Sequence, residues 1–147
     1  MATVRLIYFS EICIDNENIP MIEQLNQILD AAQKFNSTKN ITGALIFDNK
    51  WFVQVLEGTL EDVWALYKKI ELDPRHVNIR FVEMLTVPSR RFSHWSMGYA
   101  ERTEQSAAVF APYLYDGKFE PAYMASERIM SLMVDVSSSF DRPSASA

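Results

Sequence analysis

Residues 40–58 read N-I-T-G-A-L-I-F-D-N-K-W-F-V-Q-V-L-E-G, the most apolar stretch of the chain, and Gln54 is the one side chain in it that is out of keeping. Two runs rich in β-branched and aromatic residues, 41–47 and 51–56, flank Asp48-Asn49-Lys50, which predicts a β-hairpin with a short turn. Apolar residues occupy both parities of the second run: Trp51, Val53 and Val55 take one face, Phe52 and Leu56 the other. Such a strand is central and covered on both sides. Gln54 shares the face of Phe52 and Leu56, where leaving its amide bare costs ~1–3 kcal/mol. A polar partner is therefore required.

Outward from the hairpin, residues 4–10 (V-R-L-I-Y-F-S) predict a first strand with Val4, Leu6 and Tyr8 on one face. Asp15-Asn16-Glu17-Asn18 reads as a loop, and Pro20 opens a helix whose stripe of Ile22, Leu25, Ile28, Leu29 and Ala32 runs to about Lys34. Residues 35–40 (F-N-S-T-K-N) read as a polar linker, and Gly43 inside its strand as a place of close approach by another backbone, a side chain or a ligand. Thr59, with Asp62 three residues on, reads as the N-cap of a second helix buried through Val63, Leu66, Tyr67 and Ile70 and ended before Pro74. Residues 79–87 and 95–100 predict a fourth and a fifth strand, the last with Trp95, Met97 and Tyr99 on one face. The order β-α-β-β-α-β-β predicts an α+β, ferredoxin-like sandwich with a five-stranded mixed sheet.

Beyond residue 100 the pattern weakens. A short helix over 104–111 ended by Pro112, a turn at Asp116-Gly117 and a helix opened by Pro121 carrying Tyr123, Ile129, Met130 and Met133 are expected. The expected organisation is a domain at 1–100, a C-terminal helical extension at 101–136 packed on the bare face of the sheet, and a disordered tail at 137–147.

At 147 residues the chain is one domain's worth. A net charge of −5 without a dense basic patch gives no reason to expect direct nucleic-acid contact or an anionic membrane surface. The single cysteine, Cys13, rules out an internal disulfide and reads as a small buried or half-buried side chain; two histidines form no metal pattern. The N-terminus has neither a signal-peptide pattern nor a spanning segment, so the cytoplasm is expected. Nucleophile-elbow, P-loop, dinucleotide-glycine and metal-helix motifs are absent, which argues against an enzyme. Taken singly, Asp73-Pro74-Arg75-His76 reads as a solvated turn, His94 as a strand-edge residue, Tyr8 as a core tyrosine and Asn36 as a loop residue.

Together these residues read differently. Tyr8, Asn36, Gln54 and the Trp95-x-Met97 pair resemble the BLUF family of blue-light sensors that hold a flavin. The resemblance runs from about Val4 to Tyr99 through R-L-I-Y, I-T-G, F-V-Q-V-L-E-G, D-P-R-H and R-R-F-S-H-W-S-M-G. It implies a noncovalently held flavin between the two helices, with FAD expected and FMN or riboflavin as alternatives. Ile28, Ala32 and Phe35 would form walls, and Asn36 would pair with the polar pyrimidine edge. Gln54 would bridge the ring and Tyr8, while Lys69, Asp73, Arg75 and His76 would meet the ribityl and phosphate end. The photoactive set it implies is Tyr8, Gln54, Trp95 and Met97, with Met97 also at the cofactor and either Trp95 or Met97 beside Gln54. Light would drive a rearrangement of the Gln54 amide and a reversible red shift, signalled to an unknown downstream protein or through a homo-oligomer. The alternative is a ferredoxin-like binding or assembly module without cofactor; a flavin-dependent oxidoreductase is a third reading.

Overall fold

The hairpin forms as its alternation dictates. In the computed structural model, which describes residues 2–13, 19–48 and 50–140, β2 (Thr42–Asp48) and β3 (Trp51–Gly58) pair antiparallel with Gln54 opposite Leu45. β1 (Thr3–Ile12) lies on the other side of β3, with Tyr8 opposite Gln54. β4 (His76–Val87) flanks β1, and β5 (Gly98–Glu101) runs parallel to β2, so the order is β4-β1-β3-β2-β5. This is the expected α+β sandwich with a mixed sheet. β3 is central because both its faces are apolar; seven of its eight residues are buried.

α1 (Met21–Lys39) and α2 (Leu60–Ile70) cover one face. Leu25 and Leu29 from α1, with Val63, Leu66 and Tyr67 from α2, join Leu6, Tyr8, Leu45, Phe52 and Leu56 in one core. Full burial of each such side chain is worth ~1.5–3 kcal/mol, which fixes both helices on the sheet. Thr59 caps α2 as expected, its hydroxyl accepting from the Asp62 amide at 3.2 Å. On the opposite face Ile7, Phe9, Val53 and Val55 meet α3 (Ala107–Phe110) and α4 (Ser126–Val136) through Phe110, Ile129, Leu132, Met133 and Val136. Glu57 lies on this face with its carboxylate fully buried, accepting from Arg5 at 3.0 Å and from the Arg91 and Phe92 amides at 3.0 and 2.9 Å. A buried charge persists only with partners of this kind.

Several expectations need correction. Residues 35–39 are not a linker: α1 continues through them and ends at Asn40, whose left-handed conformation (φ 54°) lets its amide return to the Asn36 carbonyl. The polar side chains there bond back into the helix, Ser37 to the Gln33 carbonyl and Thr38 to the Phe35 carbonyl. β4 begins earlier, at His76, and β5 is only 98–101. The helix expected over 104–111 is the single turn of α3, followed by a 3-10 turn at Ala111–Tyr113. Pro121 opens a 3-10 turn, not α4, and Tyr123 is exposed instead of in the core. The 137–147 tail is ordered at its start, where Ser137–Ser139 form a 3-10 turn and Phe140 packs on the second core. Cys13 is exposed, not buried. The expected loop at 15–18, Asn49 of the hairpin turn and the rest of the tail lie outside the described residues. Gly43 meets backbone rather than ligand: a Cβ there would sit 2.0 Å from the Val55 carbonyl oxygen. Among the described residues no helix is long and apolar enough to cross a membrane.

Candidate functional site

Between α1, α2 and the sheet lies a cleft of about 240 Å³. Ile28, Ala31, Ala32 and Phe35 line it from α1, Leu66, Lys69 and Ile70 from α2, and Leu45, Phe52, Gln54 and Tyr8 from the sheet. Asp73, Arg75 and His76 complete its lining. The helix sides are largely apolar, as a flat aromatic ligand needs, and the polar groups converge from the floor and from Asn36.

Tyr8 and Gln54 are cross-strand partners, so their side chains rise side by side, and the Tyr8 hydroxyl donates to Gln54 Oε1. The other end of the amide donates from Nε2 to the Met97 sulfur at 3.4 Å. Sulfur is a weak acceptor, so one face of this amide is held loosely. Burial first, then the charge of Asp73 and the neighbouring Tyr67, push the Tyr8 phenol far above its ordinary range. It is a neutral donor at every physiological pH.

Asn36 projects from the last turns of α1 and is buried at 1% exposure. Its Nδ2 donates to the Ser96 carbonyl at 2.7 Å, while Oδ1 has no partner, the one such buried side-chain atom among the described residues. An orphaned acceptor in a cleft, at ~1–3 kcal/mol, asks for a donor from a ligand. A planar ring with an N–H edge supplies one, so these residues fit a flavin.

At the mouth Lys69 is exposed, its ammonium 4.6 Å from the centre of the Phe35 ring. Arg75 chelates Asp73, with Nε 2.9 Å from Oδ1. Partial burial would raise the Asp73 carboxyl, but hydrogen bonds and charge from Arg75, with His76, outweigh it and hold it below the usual range. His76 is fixed between Ser10 Oγ and the Ile70 carbonyl, 2.7 Å from each. The solvated-turn reading of 73–76 thus gives way to a packed rim.

The cleft brings together Tyr8, Ile28, Ala32, Phe35, Asn36, Gln54, Lys69, Asp73, Arg75 and His76, but not all the expected set. Met97 does not line it; the thioether stands behind Gln54. Trp95 lies outside it, 38% exposed and edge-on to Phe140 at 5.2 Å, not on the face of Met97 and Tyr99. Strand pairing starts only at Gly98, so the alternation that placed 95 with 97 does not operate. Met97, not Trp95, adjoins Gln54. Ala31, Leu45, Phe52, Leu66 and Ile70 also line the cleft, and nothing in the sequence marks them for a ligand. Their apolar spacing is identical whether they face a ligand or another side chain.

Fold and cleft together define an α+β module that holds a planar heteroaromatic ligand beside a tyrosine–glutamine pair. Residues 3–98 match the family described as BLUF, sensors of blue-light using FAD. The chain belongs to that family, whose domain is a flavin-binding blue-light sensor module. It is 42% identical over 112 residues to the blue light- and temperature-regulated antirepressor BluF of Escherichia coli (strain K12), covering 71% of this chain and 26% of that protein. It is 38% identical over 89 residues to photoactivated adenylate cyclase subunit beta of Euglena gracilis, covering 60% of this chain and 10% of that one. The chain thus spans a minor part of either protein. Among solved structures, the BlsA ground state superposes with a TM-score of 0.80 at 27% identity, covering 97% of this chain and 91% of that one. BlrB in its dark state gives 0.78 at 28% identity, covering 95% and 98%.

Proposed function

We propose that the chain holds FAD in the α1–α2 cleft and works as a light switch without turnover, its state read by a partner protein or a second copy. The observation that carries this is the Tyr8–Gln54–Met97 chain on the floor of a cleft in which Asn36 Oδ1 stands unanswered. Lys69 and Arg75 at the mouth favour a flavin with a phosphate tail over riboflavin. The bound flavin supplies a strong oxidant when it absorbs blue light.

What the residues do follows from their bonding. Tyr8 is the buried phenol beside the ligand, and a phenol that loses an electron becomes a strong acid. Its proton has one hydrogen-bonded acceptor, Gln54 Oε1. A protonated or rotated amide presents a donor where it presented an acceptor, and the two arrangements exclude each other. Gln54 is thus the two-state element that switching requires.

The route outward starts at residues 95–98. Gln33 Nε2 binds the Met97 carbonyl at 3.0 Å, Asn36 binds that of Ser96, and the Gly43 amide donates to that of Trp95 at 3.0 Å. Met97 touches Gln54 on one side of this strap, and Trp95 touches Phe140 on the other. A turn of the Gln54 amide changes the bond to sulfur, and the strap carries that change through the sheet to the C-terminal segment.

Absorption spectra of the purified protein before and after blue light test this. A yellow protein with a reversible red shift, lost in Gln54→Leu, is expected. A colourless protein, or a Gln54→Leu variant that still shifts, refutes it, and steady NADH consumption would favour an oxidoreductase.

A further inference from the structure

The rings behind Tyr8 lead away from the cleft. Tyr67 is 5.6 Å from Tyr8 between ring centres, and Trp64 is 5.5 Å from Tyr67. Tyr67 is 3% exposed and Trp64 41%, so the series climbs from the core to the outer surface of α2. Neither lines the cleft. Phe81 packs on both, 5.9 Å from Tyr67 and 6.3 Å from Trp64, but a phenyl ring is far harder to oxidise than a phenol or an indole. It holds the others in place.

The polar groups beside this series suit movement of positive charge. Glu71 follows one helical turn after Tyr67, its amide donating to the Tyr67 carbonyl at 3.0 Å. Burial first, then the charge of this carboxylate, raise the Tyr67 phenol above its ordinary range, so Glu71 is the base placed to take its proton. Lys68 pairs with Glu71 at 2.9 Å while its ammonium lies 5.7 Å from the Trp64 ring centre, so the carboxylate offsets a cation that would otherwise oppose oxidation of the indole.

We propose that Tyr67 and Trp64 form an oxidation relay from Tyr8 to the surface, through which a small-molecule thiol reduces the bound flavin in light. The relay rests on the flavin reading above. Tyr8, having given an electron to the ring and its proton to Gln54, recovers the proton and takes an electron from Tyr67, whose own proton moves to Glu71. Tyr67 then takes an electron from Trp64 and regains that proton. A thiolate in solution refills Trp64. Two such events, with two protons taken up from solvent at the flavin, leave the ring reduced by two electrons and two thiyl radicals coupled as a disulfide. The return of charge to Tyr8 that resets the switch competes with this outward path, so the second activity shows in continuous light.

The holoprotein is illuminated without oxygen in excess dithiothreitol, and bleaching of the flavin band is followed beside the red shift. Trp64→Leu and Tyr67→Phe should keep the red shift and bleach more slowly by on the order of tenfold, while Trp64→Tyr restores the rate. Bleaching at the wild-type rate in both Trp64→Leu and Tyr67→Phe overturns the relay and leaves the sensor reading standing. A wild type that bleaches through Trp64 but never red-shifts does the reverse. Peptide mass spectrometry after illumination in air without thiol gives an independent readout: oxygen should add at Trp64, and not in Tyr67→Phe. Trp95 is as exposed at 38% but touches Phe140 instead. Equal oxidation at Trp64 and Trp95 would mark unselective damage and overturn the proposal.

Discussion

Replacing Asn36 by leucine should weaken flavin binding sharply while leaving the ligand-free chain nearly as stable as before. In the ligand-free chain the Asn36 amide makes one hydrogen bond, to the Ser96 carbonyl at 2.7 Å, and leaves Oδ1 buried and unpaired. Losing the bond and baring that carbonyl costs ~1–3 kcal/mol, and removing the orphaned oxygen returns a similar amount. The two nearly cancel. With the ligand in place Oδ1 has a donor, and leucine both deletes that bond, worth ~0.5–1.5 kcal/mol, and strands the donor at ~1–3 kcal/mol. The loss falls on the complex, about 1.5 to 4.5 kcal/mol or roughly ten- to two-thousand-fold in Kd. Titration with FAD followed by quenching of flavin fluorescence gives the Kd, and urea unfolding of the ligand-free protein gives the control. A Kd within about threefold of wild type, which is under ~0.7 kcal/mol, at unchanged ligand-free stability would show that Oδ1 does not meet the ligand.

Tyr8→Phe should keep the flavin, because the ring remains, and lose the light-driven shift, because the proton donor to Gln54 is gone; a normal photocycle would exclude Tyr8 as donor. Glu57→Leu strands Arg5 and the amides of Arg91 and Phe92, and unfolding in urea should register a loss of about 3–5 kcal/mol. A change below ~1 kcal/mol would mean that the 90–92 segment is not held by this carboxylate. Asp73 titrates below its unfolded value, so its contribution to stability is present above about pH 4 and fades as pH falls through the lower folded value. Melting of wild type minus Asp73→Asn should therefore converge in acid; a difference independent of pH would contradict the Arg75 pairing.

The sheet was legible because period-two patterns identify their own partners. Phe52, Gln54 and Leu56 against Val53 and Val55 separate in the structure into the two cores as the alternation requires, and Thr59 caps α2 through the Asp62 amide. The end of α1 was not legible. F-N-S-T-K-N is poor helix sequence taken alone, and what extends the helix is tertiary: Asn36 is anchored on Ser96, sixty residues away, and Asn40 takes the left-handed cap. Local propensity is overridden by contacts that no local reading includes.

For the site, the legible part was chemical mismatch. Gln54 in an apolar strand demands a partner, and the register supplies Tyr8 directly opposite. Which side chain takes the amide's other end depends on whether residues 95–97 are a strand, and they are not: the Trp95 amide closes back on the Phe92 carbonyl and its carbonyl accepts from Gly43. That geometry sends the indole to the opposite side from Met97. Gly98 completes the arrangement, since a Cβ there would lie 2.2 Å from the Phe140 ring. The glycine makes room for the aromatic side chain that Trp95 meets, so the strap contacts the buried amide through residue 97 and the C-terminal segment through 95 and 98. Gly98→Ala is accordingly expected to displace Phe140 while leaving the Tyr8–Gln54 pair intact: the red shift should persist, and protease access at Phe140 should rise in the dark. A variant that loses the shift instead would place Gly98 in the switch rather than in its outlet.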